Sequence, residues 1–379
     1  MSQPHCHICG SASLKIASCS EHFRRVTSDC KPWPAGGKLA VCTDCETIQA
    51  VITPRWREDA REIYRGYEVY HQSGGAEQAV FDASGNSQTR SERLVTQLSA
   101  RAPLAVTGNL LDIGCGNGSF LSAFGRKLPG WKLFGAEVDG KDLQTLQAIP
   151  GFQHLYTGSL EKLHAKFDFV ALIHTLEHIE APIAFLSSIR SLLKETGSLL
   201  VQVPHYAENP FELMTADHAS HFDANSLVST LAKAGFSREN ASTSWVSKEL
   251  SLLVRPDASR AREIERGNLD HILHESLESS LSWLDNLLDR ARSTQRNATS
   301  FGLFGSSIAA TWTATNLPHL PDFFVDEDPA RVGRSHMDRP IIDPKHVPRG
   351  AAVFVALQPM AADAVLARHG AHVSGIWSH

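Results

Sequence analysis

Apolar residues along this chain fall into short blocks, and polar, glycine-bearing turns separate them. The clearest block runs from Asn109 to Phe124. Leu110, Leu111 and Ile113 read as a buried strand. Gly114, Gly116 and Gly118 read as a tight turn that lets a ligand approach the backbone, and Phe120 to Phe124 starts a helix. A second strand, Trp131 to Asp139, ends in the acids Glu137 and Asp139. Phe167 to Ile173 reads as the fourth strand and leads into His174-Thr175-Leu176-Glu177-His178-Ile179. Gly197 to Pro204 reads as a fifth, after a helix rich in Leu and Ile. Strands alternating with helical patterns predict an α/β, Rossmann-like parallel sheet with its ligand at the carboxyl ends of the strands.

The flanks carry other patterns. Residues 46–100 connect the N-terminus to the first strand and hold Tyr64, Tyr67, Tyr70 and His71. Tyr64 and Tyr67 are three apart, which suits a helix's buried face as well as substrate contact. Leu273, Leu277, Leu281, Leu284 and Leu288 form a helical stripe within a polar connector, 258–298. A second α/β unit follows. Phe301 to Ala310 reads as strand, glycine turn and helix, Asp322 to Asp328 as a strand ending in acid, and Ala351 to Leu357 as another buried strand. It is expected to pack beside the first unit as a half-Rossmann that supplies one wall.

Composition narrows the class. A chain of 379 residues predicts two to three domains. A net charge of −5 with no long basic run argues against nucleic acid as the main partner. No apolar stretch reaches membrane-spanning length and no signal-peptide core follows Met1, so a cytoplasmic protein is expected. Four of the seven cysteines form two C-x-x-C pairs, Cys6 with Cys9 and Cys42 with Cys45. Two such pairs complete a tetrahedral thiolate site for zinc, and four thiolates leave no open position, so that zinc should be structural. Pro32, Pro34, Gly36 and Gly37 between the pairs suit a looped knuckle. His5, His7 and Cys30 rank below the four as ligands.

The glycine turn is not a dinucleotide fingerprint, because Ser119 occupies the place of the third glycine. Asp112, two residues before Gly114, would repel a pyrophosphate but suits a cationic ligand. The segment resembles the S-adenosylmethionine (SAM) motif of class I methyltransferases. The resemblance places the methionine ammonium near Asp112, the turn at Gly114, Gly116 and Gly118, the ribose on Glu137 and the adenine near Ser159 and Leu160. His174 and His178 are expected in the SAM pocket or at a helix start.

The order of zinc-binding pairs, SAM domain, helical connector and C-terminal α/β unit resembles the sugar C-methyltransferase family over almost the whole chain. Further matching residues are Pro204, the run Asp217-His218-Ala219-Ser220-His221-Phe222, Asp326 to Gly333, and Pro340 to Ile342. The resemblance implies methyl transfer to a carbon beside the ketone of a nucleotide-linked deoxysugar, with His218 as base, Asp217 beside it and His221 in reserve. His205 and Tyr206 could line the acceptor site. The family's tyrosine two residues before the acid is Thr215 here, and its lysine after the C-terminal glycine turn is missing. The expected units are 1–70 (zinc module and connector), 71–257 (SAM domain), 258–298 (helical connector) and 299–379 (C-terminal α/β). An O- or N-methyltransferase on a natural-product or surface-polysaccharide precursor is the second expectation, and a zinc-stabilised binding module that has lost activity is the third.

Overall fold

A seven-stranded sheet carries the middle of the chain. The computed structural model describes residues 4–17, 20–81, 87–160, 163–242, 245–257, 270–369 and 376–379. Across the sheet the strands stand in the order Phe152–Thr157, Trp131–Glu137, Gly108–Ile113, Phe167–Ile173, Leu193–Pro204, Glu249–Pro256 and Phe236–Ser242. The first five are parallel, and Glu249–Pro256 runs against both its neighbours. Alternate residues point to opposite faces. Leu110, Phe169, Ala171 and Leu200 pack against Arg90–Arg101 and Ser119–Lys127; Leu111, Val170, Leu172 and Val201 pack against Pro182–Leu192 and Ala224–Lys233. With both faces covered, the strands read as continuous apolar runs. The chain winds outward in both directions from the pair Gly108–Ile113 and Phe167–Ile173. Their carboxyl ends therefore form the switch-point crevice where such sheets bind ligands.

The N-terminal cysteines sit on a separate antiparallel sheet. Its order is Leu14–Ile16, Leu39–Cys42, Ile48–Ala50 and Ser220–His221. The fourth strand comes from the middle of the chain, so this module is stitched into the site that His221 belongs to. The knuckle expected around Pro32 is a two-stranded ribbon, Arg25–Val26 with Pro32–Trp33.

The C-terminal sheet is fuller than a half-Rossmann. Its order is Ser335–His336, Arg339–Ile342, Phe323–Val325, Phe301–Phe304, Ala352–Phe354 and Ile376–Ser378, parallel except for the first hairpin. The helix Asp270–Asn297 buries Leu277, Leu281, Leu284 and Leu288 in a core shared with Phe23 and Leu39 of the N-terminal module and Leu303 and Trp312 of the C-terminal unit. The leucine stripe thus glues two units together. Residues 258–269 and the side chain of Leu273 lie outside the described residues. The expected fifth strand starts earlier, at Leu193, because Leu193 pairs with Phe167 before a register shift brings Ser198 opposite Phe169.

Candidate active site

The glycine turn sits at the crevice. Gly114, Gly116 and Gly118 all have left-handed backbone, with φ of 77°, 51° and 81°. A side chain at Gly114 would strike the Thr175 hydroxyl, and one at Gly118 would strike Leu146 and Ile149. Asp112, one residue from the end of its strand, is 2% exposed, and its Oδ1 has no hydrogen-bond partner among the described residues. Burial, reinforced by the charge of Glu137, pushes the Asp112 carboxyl up to about 8. A buried acceptor with nothing to accept from is a place for a donor, and a ligand ammonium fits it. Glu137 closes the other side of the turn. Its Oε1 accepts from Gly116 N at 2.8 Å and its Oε2 from Val138 N at 3.0 Å. Gly158 N donates to the Glu137 carbonyl, which brings Ser159 and Leu160 to the same edge, with Leu160 partly buried against the sheet. These residues fit the cofactor the sequence suggests: an unpaired acid for its ammonium, a bare turn for its body, and a second acid for its ribose.

His174 stands beside the crevice in a charged network. It follows the fourth strand in left-handed backbone, φ 52°. Its Nε2 lies 2.6 Å from Glu249 Oε2 and 2.9 Å from Arg90 Nη1, and its Nδ1 lies 3.3 Å from Glu177 Oε1. Burial alone would lower its pKa. The Glu249 charge outweighs that, and with Glu177 it holds the imidazole up at about 9. Arg90 also donates to the Tyr70 hydroxyl at 2.8 Å, and Tyr70 is itself left-handed, φ 54°. His174 is thus an imidazolium paired with Glu249 and Glu177, and Arg90 joins it through Glu249 Oε1 at 3.4 Å, so that Glu249 ties the connector to the fourth strand beside the crevice.

Asp217, His218 and His221 come together there with His178. The His178 and His218 rings meet edge to face at 4.7 Å, and His218 and His221 lie 6.1 Å apart. The partner of His218 is Glu212, whose Oε2 is 3.3 Å from Nδ1. Burial opposes a charge on His218, but Glu212 raises its pKa. Asp217 turns away from His218. It accepts from Ser28 N at 2.9 Å and Ser28 Oγ at 2.6 Å, and its carbonyl and Oδ2 lie 3.2 Å and 3.4 Å from His178 Nδ1. His221, fully enclosed, has its pKa lowered to about 3, by burial first and then by His218 and His7. It stays neutral, and its Nε2 has no hydrogen-bond partner. Tyr64 is not on the buried face of its helix, which is Trp56, Asp59, Ala60 and Ile63; its ring stands edge-on to His178 at 5.8 Å. Tyr206 is buried in the core shared with the long helix, and His71 faces His336 of the C-terminal unit.

The thiolate centre lies behind this wall. The Sγ atoms of Cys6, Cys9, Cys42 and Cys45 are all within 4.8 Å of one another, with Cys6–Cys45 and Cys9–Cys42 each at 3.5 Å. Zn–S bonds of about 2.3 Å put tetrahedral sulfurs roughly 3.8 Å apart, so the four fit one zinc ion. Gln49 Nε2 and Cys9 N donate to Cys6 Sγ, which favours its thiolate. His7 is not a ligand in this arrangement; its Nε2 pairs with Ser220 Oγ at 2.8 Å.

Sequence reasoning missed the acids. Glu249 and Glu177 raise the pKa of His174 and Glu212 that of His218, while Arg90 and Ser28 hold Glu249 and Asp217 in place. The signal for Glu177 was present, an acid held between Leu176 and His178 straight after a buried strand. For Ser28, 189 positions from Asp217, there was none.

Residues 86–240 match a family model described as a methyltransferase domain. The chain is 27% identical over 195 residues to the tRNA U34 carboxymethyltransferase of Desulfotalea psychrophila, a match covering 47% of this chain and 61% of that protein. The match therefore spans about three-fifths of that relative's length. Among solved structures it is similar to CalO1, a methyltransferase in calicheamicin biosynthesis with SAH bound, at 21% identity, covering 44% of this chain and 54% of that one, TM-score 0.35. It is also similar to NcsB1, an O-methyltransferase from neocarzinostatin biosynthesis in complex with SAM, at 18% identity, covering 42% and 52%, TM-score 0.38.

Proposed function

We propose that this chain is a SAM-dependent methyltransferase acting on a small polar acceptor. The observation that carries the reading is the bare glycine turn between Asp112 and Glu137 at the switch point, with the methyltransferase-domain match spanning it. SAM supplies a methyl on a cationic sulfur. The chain's own work is to align the acceptor with that methyl and to draw off its proton. The cluster of His178 and His218, backed by Glu212 and Asp217, lies at the same end of the sheet and supports the second task. Zinc in the four-cysteine centre would have no open position and would hold the wall that Ser220 and His221 belong to.

The acceptor this reading favours is a carbon beside the ketone of a nucleotide-linked deoxysugar, supported by the order of the units and the Asp217-His218 motif. O- or N-methylation of a natural-product or polysaccharide precursor needs the same pocket and is the second reading, supported by the loss of the family's tyrosine at Thr215. Calorimetric titration of SAM tests the cofactor. Glu137→Ala should weaken binding by about tenfold or more, the cost of a charge-assisted hydrogen bond. Unchanged affinity removes Glu137 from the site. His218→Ala should bind SAM as the wild type does, while turnover falls by a factor on the order of 100 to 10,000.

A further inference from the structure

Glu177, His178 and His218 come from two segments of the chain, yet one donor atom from each lies within 4.8 Å of the other two. Both oxygens of Glu177 lack a hydrogen-bond partner although the residue is 1% exposed. Its Oε1 lies 3.3 Å from His174 Nδ1, the ring whose Nε2 is paired with Glu249. Behind the two rings stand two more buried acids. Asp217 takes His178 Nδ1 through its carbonyl and Oδ2, and Glu212 takes His218 Nδ1. Each ring is therefore held through Nδ1 by a buried acid, an arrangement that metal-binding histidines commonly share. Three enclosed acids, Glu177, Glu212 and Asp217, thus surround these two histidines.

We propose that Glu177, His178 and His218 bind one divalent cation, distinct from the ion of the four-cysteine centre. Two imidazoles and a carboxylate select zinc, iron(II), cobalt(II) or manganese over magnesium or calcium. Metal bonds of about 2.0–2.2 Å put neighbouring ligands roughly 3 Å apart, so the three side chains need only small rotations to close on an ion. Three protein ligands leave coordination positions open. An acceptor bearing an oxygen, a ketone or a pair of neighbouring hydroxyls, is the ligand that would fill them. The cation site stands on its own geometry; only this assignment of its open positions rests on the methyltransferase reading. With the ion bound, His218 would act on the acceptor through it; without the ion the same imidazole is the base of the methyltransferase reading.

The test loads metal-stripped full-length protein with cobalt(II) and reads stoichiometry by mass spectrometry and the ion's environment by absorption. Wild type should take two ions per chain, one with intense thiolate-to-cobalt bands and one with weak bands and no thiolate character. Cys42→Ser should lose the first ion. His218→Gln and Glu177→Gln should lose the second, keep the thiolate bands and bind SAM with wild-type affinity, which shows that they fold. Glu212→Gln should weaken the second ion by about 10- to 100-fold, since it only orients His218. One ion per chain at millimolar cobalt, or a second ion that survives both His218→Gln and Glu177→Gln, overturns the proposal. Two ions in a protein that does not bind SAM would uphold the cation site and overturn the methyltransferase reading instead.

Discussion

Two sheets of the molecule have parallel cores that wind outward from a central pair of strands in the same order, and their switch points are finished in opposite ways. In the central sheet the turn after the first strand is bare glycine, Asp112 has an oxygen with no partner, and Glu177 has two. In the C-terminal sheet the equivalent turn carries Ser306, whose hydroxyl donates to Asp326 Oδ2 at 2.7 Å. Asp326 Oδ1 accepts from Asp328 N at 3.0 Å, and the Arg331 guanidinium lies 3.4 Å and 3.7 Å from the two carboxylates. All four side chains are buried. One crevice leaves carboxylate oxygens without hydrogen bonds, and the other pairs both its acids, although Arg331 Nε itself makes no hydrogen bond among the described residues. Topology alone does not make a binding site; unmet polar groups at the switch point do. The C-terminal unit is accordingly assigned to architecture, locked to the N-terminal module by the leucines of the long helix.

This contrast breaks most visibly if a residue of the filled crevice is removed. Arg331→Leu strands two buried carboxylates, and losing one partner of a buried pair costs about 3–5 kcal/mol. Its melting temperature should drop steeply while SAM affinity in the folded protein stays at the wild-type value. Asp112→Asn should do the reverse, leaving the melting temperature unchanged or raised and weakening SAM. If Arg331→Leu abolishes ligand binding in a protein that still melts normally, the C-terminal crevice is a site after all.

The N-terminal module sharpens the comparison from the other side. Ser220–His221 is a strand of its sheet, and Ser28 holds Asp217. Cys42→Ser should therefore release the ion and disturb the histidine cluster, lowering turnover by about 100-fold or more, the effect of misplacing a site by an ångström. SAM should still bind, because Asp112, Glu137 and the glycine turn belong to the central sheet. A variant free of metal at the four cysteines with full turnover would separate the module from the chemistry.

Much of the open crevice was legible in the sequence because its parts are close in the chain. Strand, bare turn and acid follow one another within thirty residues, and C-x-x-C pairs announce a thiolate centre by spacing alone. The histidine cluster was legible only in half. Asp217 and His218 could be named, but their neighbours in space are Ser28 and Glu212, and no local pattern pairs residues across folded units. A two-residue strand such as Ser220–His221 has no periodicity to read, so its capture by the N-terminal sheet was invisible. The filled state of the second crevice was hidden for the same reason. Ser306 and Asp326 look like any turn serine and strand-end acid until a sheet sets them side by side.

The smallest expected effect is a pH dependence that the open crevice should show and the filled one should not. Asp112 is held at about 8 by burial and by Glu137, so at pH 7 the ligand-free protein carries it mostly protonated. A SAM ammonium beside it favours the carboxylate, and binding must then expel that proton. Affinity should therefore rise with pH toward about 8, by up to tenfold for each step of one in pH, because one proton leaves for each ligand bound. Above that the ligand's own amino group, with an ordinary pKa of about 7.7–8.0, loses the charge that Asp112 is waiting for, and affinity should fall again. Calorimetry at pH 7 in two buffers of different ionisation enthalpy should detect close to one proton released per SAM bound. Asp112→Asn should release none and lose the rising limb. A wild-type affinity that is flat from pH 6 to 8 would mean that the ammonium sits elsewhere, and the unpaired Asp112 oxygen would need another donor.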